Sequence, residues 1–548
     1  SLLTPFFNII SFYVTIRLYI EKFLMSIVYE MRIIYAIIHN KIKFFEKEVF
    51  MYFIGIDCGT QSLRTGVFDK RGTPLAFAVK DYPVHYPYSG WAEQDARDWW
   101  SALKFTVKKV IKDSGIDPKA VGGISLDAMA CTVVALDENG DPLRNALLWM
   151  DVRAFKEAQK VTATKEDILR FAGGDESPEW MIPKAMWLKK NEPDVYNRAR
   201  YIVEATDYLM YKLTGRWTVS ICNATCKWNY ASVLGGFPIN LLKKLDMEDL
   251  LEKWPKDVLS IGEISSGLSK TASEELGLPP GIPVAEGGID AYLAMVGLNI
   301  TSPGKMGIIM GSSNCHMAIT DEAVFGTGVW GPYPDALIKG KWVLEGGQTS
   351  TGSVVKWFTD QFTNLSYEEL DNEASKIPPG SEGLIVLEYW QGYRSPIRDP
   401  LARGTIWGLS LKHTPYHIFR AIYEGTAYGT RNIIEAIASK GVDLNEIYAC
   451  GGGTRSRLWL QINADVCGVP IYIPEVEEAG CLGSAIAGAV GAGFFKDLQE
   501  GASQMVKIKS TIEPNLQNKN IYDFYFDKYK KTYFQLKDLM HDMIRFTL

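Results

Sequence analysis

Apolar and polar positions along this chain set out a run of strands and helices that begins at Tyr52. Tyr52-Phe53-Ile54-Gly55-Ile56-Asp57 is a stretch of large apolar residues closed by an acid, the pattern of a buried strand. Cys58 to Ser62 reads as a tight turn, and Arg64 to Asp69 as the returning strand of a β-hairpin, closed by Lys70-Arg71-Gly72. Trp99, Leu103, Val107 and Val110 keep helical spacing and predict an amphipathic helix within Trp91 to Val110. Gly123 to Asp127 is strand-like, and the small residues Ala128 to Thr132 that follow it belong where ligand crevices open in α/β sheets. Val133 to Asp137 with Asn139-Gly140 predicts a hairpin turn. A helix is expected to begin within Trp149 to Ala154, and another to run from Glu204 to Leu213 with Gly215 closing it.

The second half repeats the mixture. A helix-like run follows Asp290 as far as Gly297, then a Pro303-Gly304 turn, then a strand from Met306 to Met310 that ends in Gly311-Ser312-Ser313-Asn314. Further strands are expected at Trp342 to Leu344, Leu384 to Trp390 and Ile447 to Cys450. Thr414-Pro415 gives a helix start, an N-cap followed by proline at the first position, and the pattern runs through Ile418, Ile422 and Ile434 towards Gly441. Leu458 to Val466 is helix-like, and the small-residue helix from Gly480 to Gly493 is expected to lie close against a sheet. Ile521 to Leu548 reads as a charged, aromatic helix.

Residues 1–50 break this rhythm. They are rich in Ile, Phe and Tyr, but the charge-free run to Ile16 is shorter than the roughly twenty residues of a membrane span. Arg17, Glu21 and Lys22 interrupt it, and no basic start or small-residue cleavage site marks a signal peptide. We expect an extension outside the catalytic fold, with Met51 as the natural start.

Composition narrows the class of protein. A chain of 548 residues is too long for one core and implies two large domains. The apolar share of 47% and charged share of 22% are those of a soluble globular enzyme. A net charge of −6 with no dense basic tract argues against nucleic acid or an acidic membrane as the main partner. The eight cysteines are scattered, several inside apolar runs, which points to a reduced, cytoplasmic setting. His413 and His417 stand four apart without a third ligand nearby, so a cap and a surface residue are expected rather than a metal site.

Chemistry concentrates in two glycine-rich tips and one lone acid. The hairpin tip Gly59-Thr60-Gln61-Ser62 carries backbone and hydroxyl donors suited to phosphate oxygens, with Asp57 before it and Arg64 after it. Asp57 can hold a hydrated Mg²⁺, and Arg64 can offset phosphate charge. Gly311-Ser312-Ser313 is a second tip of similar composition, and two such tips from two halves of one chain imply an internal duplication around a nucleotide. Asp290, set among Gly287, Gly288 and Ala291, is placed to take a proton in a cleft. An N-capping Asp and an ordinary hairpin would read the same way, and this stretch alone does not separate the two. Glu176 to Lys184 mixes acids, Trp180 and a lysine, the side chains that bind hydroxyl-rich ligands, though a helix entry has the same look. Gly451-Gly452-Gly453 joins a strand to a helix without the spacing of a Walker A loop or a dinucleotide fingerprint.

Taken together and in order, these motifs resemble the FGGY carbohydrate kinases of the actin-like ATPase superfamily, from Met51 to about Met540. The resemblance rests on Ile56 to Arg64, Gly287 to Ala291, Met310 to Ser313, Arg394-Ser395-Pro396 with Asp399-Pro400, and Gly451 to Gly453 with Ser456 and Gln461-Ile462. Where the family usually has Gly-Thr, Gly311-Ser312 keeps the hydroxyl. Within the family the chain is most similar to the pentulose kinases, ribulokinases in particular. Asp127 to Thr132, Pro178 to Lys184, Asn314 to Met317 and Glu345 to Gln348 carry that likeness, while Ala130-Cys131 departs from the Met-His-Gly of xylulokinases.

The resemblance implies an α/β, actin-like ATPase (ribonuclease H-like) fold of two similar domains with a cleft between them. It sets a sugar-binding domain over 51–295 and a nucleotide-binding domain over 296–548. It implies ATP-dependent phosphorylation of a pentulose at the terminal hydroxyl, with ATP and Mg²⁺ as cofactors and Asp290 as general base. Ala130, Glu179, Lys184, Asp290 and Glu345 would bind the sugar. Gly59, Thr60, Gln61, Ser62, Arg64, Gly311, Ser312 and Ser313 would hold phosphates, with Asp57 at the metal, and Gly352, Gly452, Gly453 and Ser456 would surround adenosine. Xylulose, a tetritol or another polyol are the alternative acceptors, and a non-catalytic actin-like scaffold is the alternative of another class. No nucleic-acid partner or integral membrane insertion is expected, and homodimerisation is left open.

Overall fold

The computed structural model describes Met25 and residues 51–326 and 328–547. The expectation for residues 1–50 therefore lies outside the described residues, and the fold below is that of the single compact unit that starts at Tyr52.

Its first half is built on β1 (Tyr52–Cys58), β2 (Ser62–Asp69), β3 (Pro74–Asp81), β4 (Val121–Ala128), β5 (Ile264–Gly267), β6 (Pro283–Ala285) and the short β7 (Gly288–Ile289). The second half is built on β8 (Lys305–Met310), β9 (Asn314–Thr320), β10 (Trp330–Pro334), β11 (Trp342–Gln348), β12 (Glu446–Cys450), β13 (Ile471–Pro474) and β14 (Ile508–Ile512). The helices that matter to the site are α1 (Ala96–Ser114), α2 (Met181–Asn191), α3 (Ala205–Thr214), α4 (Ile221–Lys227), α5 (Asp290–Gly297), α6 (Gly352–Phe362), α7 (Pro415–Ala438), α8 (Arg457–Cys467), α9 (Ala479–Gly491) and α10 (Lys519–Thr547).

The two sheets have one plan. The first runs β5-β6-β4-β1-β2-β3, and β7 adds to β4. The second runs β10-β11-β9-β8-β12-β13-β14. In each, a central strand is antiparallel to its hairpin partner and parallel to a strand on its other side: β1 with β2 and β4, β8 with β9 and β12. Both continue into a second parallel pair and close on an antiparallel edge. This repeat is the internal duplication expected from the two tips, and each half has its own apolar core.

Local chemistry explains the elements. Asp95 caps α1 by accepting the Arg97 N–H, and Gly115 ends it in a left-handed turn with φ 68°. Trp99, Leu103, Val107 and Val110 are its buried stripe, as their spacing predicts. Thr414 and His417 cap the start of α7 reciprocally, while His413 accepts the Ser410 N–H in the turn before it, so one histidine serves as a cap and the other closes a turn. The helix expected to begin within Trp149 to Ala154 starts only at Phe155. The buried Asp151 carboxylate ties the preceding residues into a turn, accepting the Ala92 N–H at 2.7 Å and the Arg153 guanidinium.

α9 follows β13 in the chain, yet it lies on β1 and β4 of the first sheet and against α5. Small residues permit this. A Cβ on Gly55 would stand 1.8 Å from the Cys481 carbonyl oxygen, and one on Gly123 would stand 2.3 Å from that of Gly488. The small-residue helix is thus pressed to a sheet, as its composition predicts, and it brings the second half of the chain onto the first.

Candidate active site

Three acids meet where the central strands end. Parallel pairing of β1 with β4 sets Asp57 opposite Asp127, and β7 pairs Gly288 with that same Asp127. Two residues later the chain turns into α5, whose first residue is Asp290. Register and one strand-to-helix turn therefore collect three carboxyls that the sequence scatters over more than two hundred positions.

Their electrostatics differ. Burial pushes the Asp290 carboxyl up to about 7, and the Asp57 charge adds to the rise. The Ala291 N–H, which Asp290 accepts at 2.7 Å, and the Lys227 ammonium oppose it. Burial also raises Asp57, against the pull of Arg64, whose Nη1 stands 3.9 Å from Asp57 Oδ2. Asp127 is raised well above the carboxylate range by burial and by its two acidic neighbours. Ser484 of α9 donates to its Oδ2 at 2.7 Å, and its Oδ1 finds no donor.

Both glycine-rich tips face these acids. Gly59 N–H donates to the Ser62 carbonyl at 3.0 Å, and Gly311 N–H donates to that of Ser313 at 3.0 Å, so each tip is closed by its leading glycine, the second one residue tighter. The first is pinned from beneath: Tyr82 O–H donates to the Gly59 carbonyl, and Gln94 Nε2 donates to that of Thr60 at 2.6 Å. Trp149 Nε1 donates to Thr60 Oγ1 at 2.9 Å. The second tip is pinned by the start of α6, where Thr351 and Ser353 N–H groups donate to the Ser312 carbonyl, each at 3.0 Å. Gly352 must be glycine here, since a Cβ would come 2.4 Å from the Gly311 carbonyl oxygen.

One cavity of about 650 Å³ holds Asp57, Gly59, Thr60, Arg64 and Asp290 together with Gly311, Ser312 and Ser313. Gln61 and Ser62 do not line it: Gln61 is exposed, and Ser62 is buried as the first residue of β2. Those two expected phosphate ligands are corrected to supports of the turn. Gln61 offers its carbonyl to the Tyr82 N–H, and Ser62 offers its own to Gly59.

The far end of the cavity carries Ala130, Glu179 and Glu345 as the motifs suggest, and also Cys131, Tyr292, Arg394 and Lys227. Lys227 Nζ lies 3.5 Å from Glu345 Oε2, and Tyr292 O–H donates to the same oxygen at 3.4 Å. Lys184, expected among the sugar ligands, is absent from the cavity. It is wholly buried in α2, and its ammonium donates to the carbonyls of Cys131 and Leu148, both at 2.6 Å. The cation paired with Glu345 is Lys227, the last residue of α4, with no motif around it to announce it. Met129 and Ile289 complete the wall below.

A second cavity, about 1170 Å³, opens on the other side of Gly311 and Ser312. Gly352, Gly452, Gly453 and Ser456 all line it, with Tyr423 and Trp459 stacked beside them at 4.8 Å. The two cavities share Gly311, Ser312, Gly452 and Arg455. Their shapes suit a ligand with a flat end in the larger cavity, charged groups at the shared waist and a hydroxyl-rich acceptor beyond it.

The acids also suit a divalent cation that arrives with such a ligand. Among the described residues no group of three or more His, Cys, Asp or Glu can enclose a metal by itself. Asp57, which lines the cavity with the buried Asp127 paired to it on β4, is instead the one-or-two-carboxylate set that Mg²⁺ takes when water and phosphate complete its octahedron.

Comparison with known proteins agrees with this geometry. Residues 52–297 match the N-terminal domain of the FGGY family of carbohydrate kinases, and 306–492 match its C-terminal domain. An FGGY carbohydrate kinase domain-containing protein of Xenopus laevis is 32% identical over 533 residues, covering 88% of this chain and 96% of the relative. A ribulokinase of Bacillus licheniformis is 33% identical over 515 residues, covering 85% and 93%. The solved xylulose kinase of Rhodospirillum rubrum superposes with a TM-score of 0.79 at 26% identity, over 89% of this chain and all of that one.

Proposed function

Because the chain belongs to the FGGY family of carbohydrate kinases, and is thus a phosphotransferase of the actin-like ATPase fold, we propose that it phosphorylates a pentulose, ribulose first, at its terminal hydroxyl. The observation that carries the reading is the joining of two cavities at one waist. The acid of raised pKa, Asp290, sits with both glycine-rich tips, while Glu345 and Lys227 face the acceptor end. The ribulokinase relatives favour ribulose, and the xylulose kinase structure favours xylulose as the second acceptor to try.

In this reaction the acceptor hydroxyl oxygen attacks the γ-phosphorus of ATP, its proton passes to Asp290, and the bond to the β–γ bridging oxygen breaks to release ADP. Phosphoryl transfer of this kind rests on positioning and charge stabilisation more than on covalent chemistry. The tips at Gly59-Thr60 and Gly311–Ser313 hold the β- and γ-phosphates, and Arg64 offsets their charge. Asp57, with Asp127 behind it, would hold Mg²⁺, which neutralises charge on the phosphates when bound. Adenosine lies along Gly352, Gly452, Gly453 and Ser456, with Tyr423 and Trp459 beside it. Ala130, Glu179, Glu345 and Lys227 orient the sugar by its hydroxyls. The eight free cysteines support a reducing, cytoplasmic setting. Among the described residues no helix is long and apolar enough to cross a membrane.

ADP release measured with MgATP against a panel of ketoses and polyols tests the acceptor. Ribulose should give the highest kcat/KM, and a tetritol or glycerol in first place would overturn the assignment. Two further results are expected. Asp290 works only as the carboxylate and its pKa is raised to about 7, so kcat/KM should climb with pH and level off above that value. A midpoint in the ordinary carboxylate range would point to another base. Replacing Lys227 with Met should raise the acceptor KM by about tenfold or more while sparing that of ATP, since it strips a charge-assisted donor from the acceptor wall. Lys184→Met should lower thermal stability instead, because it leaves two buried carbonyls without their donor.

A further inference from the structure

Behind the acceptor cavity, one buried acid ties two of its walls together. Glu204 is wholly buried at the N-cap of α3. Its Oε2 accepts the Cys131 N–H at 2.9 Å and Asn223 Nδ2 at 2.9 Å, and its Oε1 accepts Trp228 Nε1 at 2.7 Å. Cys131 belongs to the loop that lines the cavity beside Ala130. Asn223 and Trp228 belong to the segment that carries Lys227: α4 and the residue that follows it.

The loop needs holding. Cys131 has φ 60°, the left-handed region that disfavours a side chain by about 1–2 kcal/mol. Both peptide groups of this residue are gripped, its N–H by Glu204 and its carbonyl by the Lys184 ammonium at 2.6 Å. Neither gripping residue lines the cavity. Glu204 is therefore bonded at once to the wall that presents Ala130 and to the helix that presents Lys227.

We propose that Glu204 is a positioning residue for acceptor specificity, clamping the Cys131 loop and the Lys227 helix in a single geometry. The specificity rests on the reading that this cavity takes the acceptor sugar; the clamp itself does not. Glutamine keeps the shape but has one acceptor oxygen, so Glu204→Gln cannot serve all three donors. The variant should raise the acceptor KM by about tenfold and narrow the preference between ribulose and xylulose. The KM for ATP and the slow hydrolysis of ATP without sugar should not move. Glycine adopts φ 60° freely, so adding Cys131→Gly to the variant should recover part of the lost acceptor affinity.

A readout independent of the sugar is alkylation of Cys131 by iodoacetamide, followed by peptide mass. The buried thiol should react about tenfold faster in Glu204→Gln, as one lost buried hydrogen bond allows, while Cys315 and Cys450 of the same cavity keep their rates. If Glu204→Gln fails to fold, Asn223→Ala removes one bond of the clamp and is read the same way. Unchanged Cys131 alkylation, or ATP and acceptor KM values that rise together without rescue by Cys131→Gly, would overturn the proposal. Should the wild type phosphorylate no sugar, the functional reading falls, and the alkylation rates still decide whether the clamp exists.

Discussion

Asp290→Asn should lose about 10²–10⁴-fold in kcat, the range for removal of a general base, with the KM for ATP nearly unchanged. Asparagine keeps the size and the hydrogen bond to the Ala291 N–H, and it removes only the ability to take a proton. Of the three acids, Asp290 is the one suited to the task. Asp127 is fully buried behind Asp57, and Asp57 stands against Arg64 where phosphate charge would lie. A pKa near 7 also makes Asp290 basic enough to accept a proton while leaving about half of it ionised at neutral pH.

The same substitution has a signature in stability that separates chemistry from damage. Burial raises the Asp290 pKa to about 7, so between the ordinary carboxylate range and pH 7 the folded chain holds a proton that the unfolded chain has released. Stability then falls as pH rises through that window. Asparagine carries no such burden. The melting temperature of Asp290→Asn should therefore rise relative to the wild type as pH goes from 5 to 8, roughly the window in which an acid so shifted titrates. An inactive variant that is also less stable at pH 8 would mean a broken fold, and near-normal turnover would remove Asp290 from the mechanism.

What the sequence disclosed and what it hid divide along physical lines. The two hairpins with their glycine tips, the stripe of α1, the capped start of α7 and the lone acid that opens α5 were legible, because each depends on residues close in the chain. Gly352, Gly452, Gly453 and Ser456, far apart in the chain and grouped only by motif order, do line one cavity. Lys184 was misread because an acid, a tryptophan and a lysine within a short stretch look like a ligand set. Helical geometry instead aims that ammonium at carbonyls below the pocket. Lys227 was missed because nothing near it is distinctive, and only the approach of α4 to β11 gives it Glu345. Asp127 looked like one letter of a motif. Its meaning as a buried neighbour of Asp57 depends on strand register, which no local pattern fixes. Gln61 and Ser62 show the finer limit: a tip's composition names its donors, but which of them face the cleft is set by the turn's twist.

Gly483→Ala should destabilise the protein by about 3 kcal/mol or more, the upper end of overpacking penalties, because the new methyl would meet backbone. A Cβ at Gly483 would stand 1.8 Å from the Leu293 carbonyl oxygen and 3.1 Å from the Gly297 nitrogen, where α9 crosses α5. No flexible side chain is there to yield, so the helices must part. Gly297 shows the same closeness from the other partner, with a Cβ 2.0 Å from the Ala479 carbonyl oxygen. The sign of the effect is diagnostic, since alanine in an ordinary helix interior gains about 1 kcal/mol over glycine. The crossing also sets the distances that matter for chemistry. α5 begins at Asp290, and the first turn of α9 holds Gly480, where a Cβ would lie 3.1 Å from Asp57 Oδ2 and 3.3 Å from Asp127 Oδ2. Parting the helices therefore shifts the base against the acids at the phosphate end. The urea midpoint of Gly483→Ala, followed by tryptophan fluorescence, should fall well below that of the wild type, and the fraction that stays folded should turn over more slowly. A midpoint equal to the wild type's would mean that the two helices meet less closely than their glycines indicate, and that the crossing does not set the spacing of the acids.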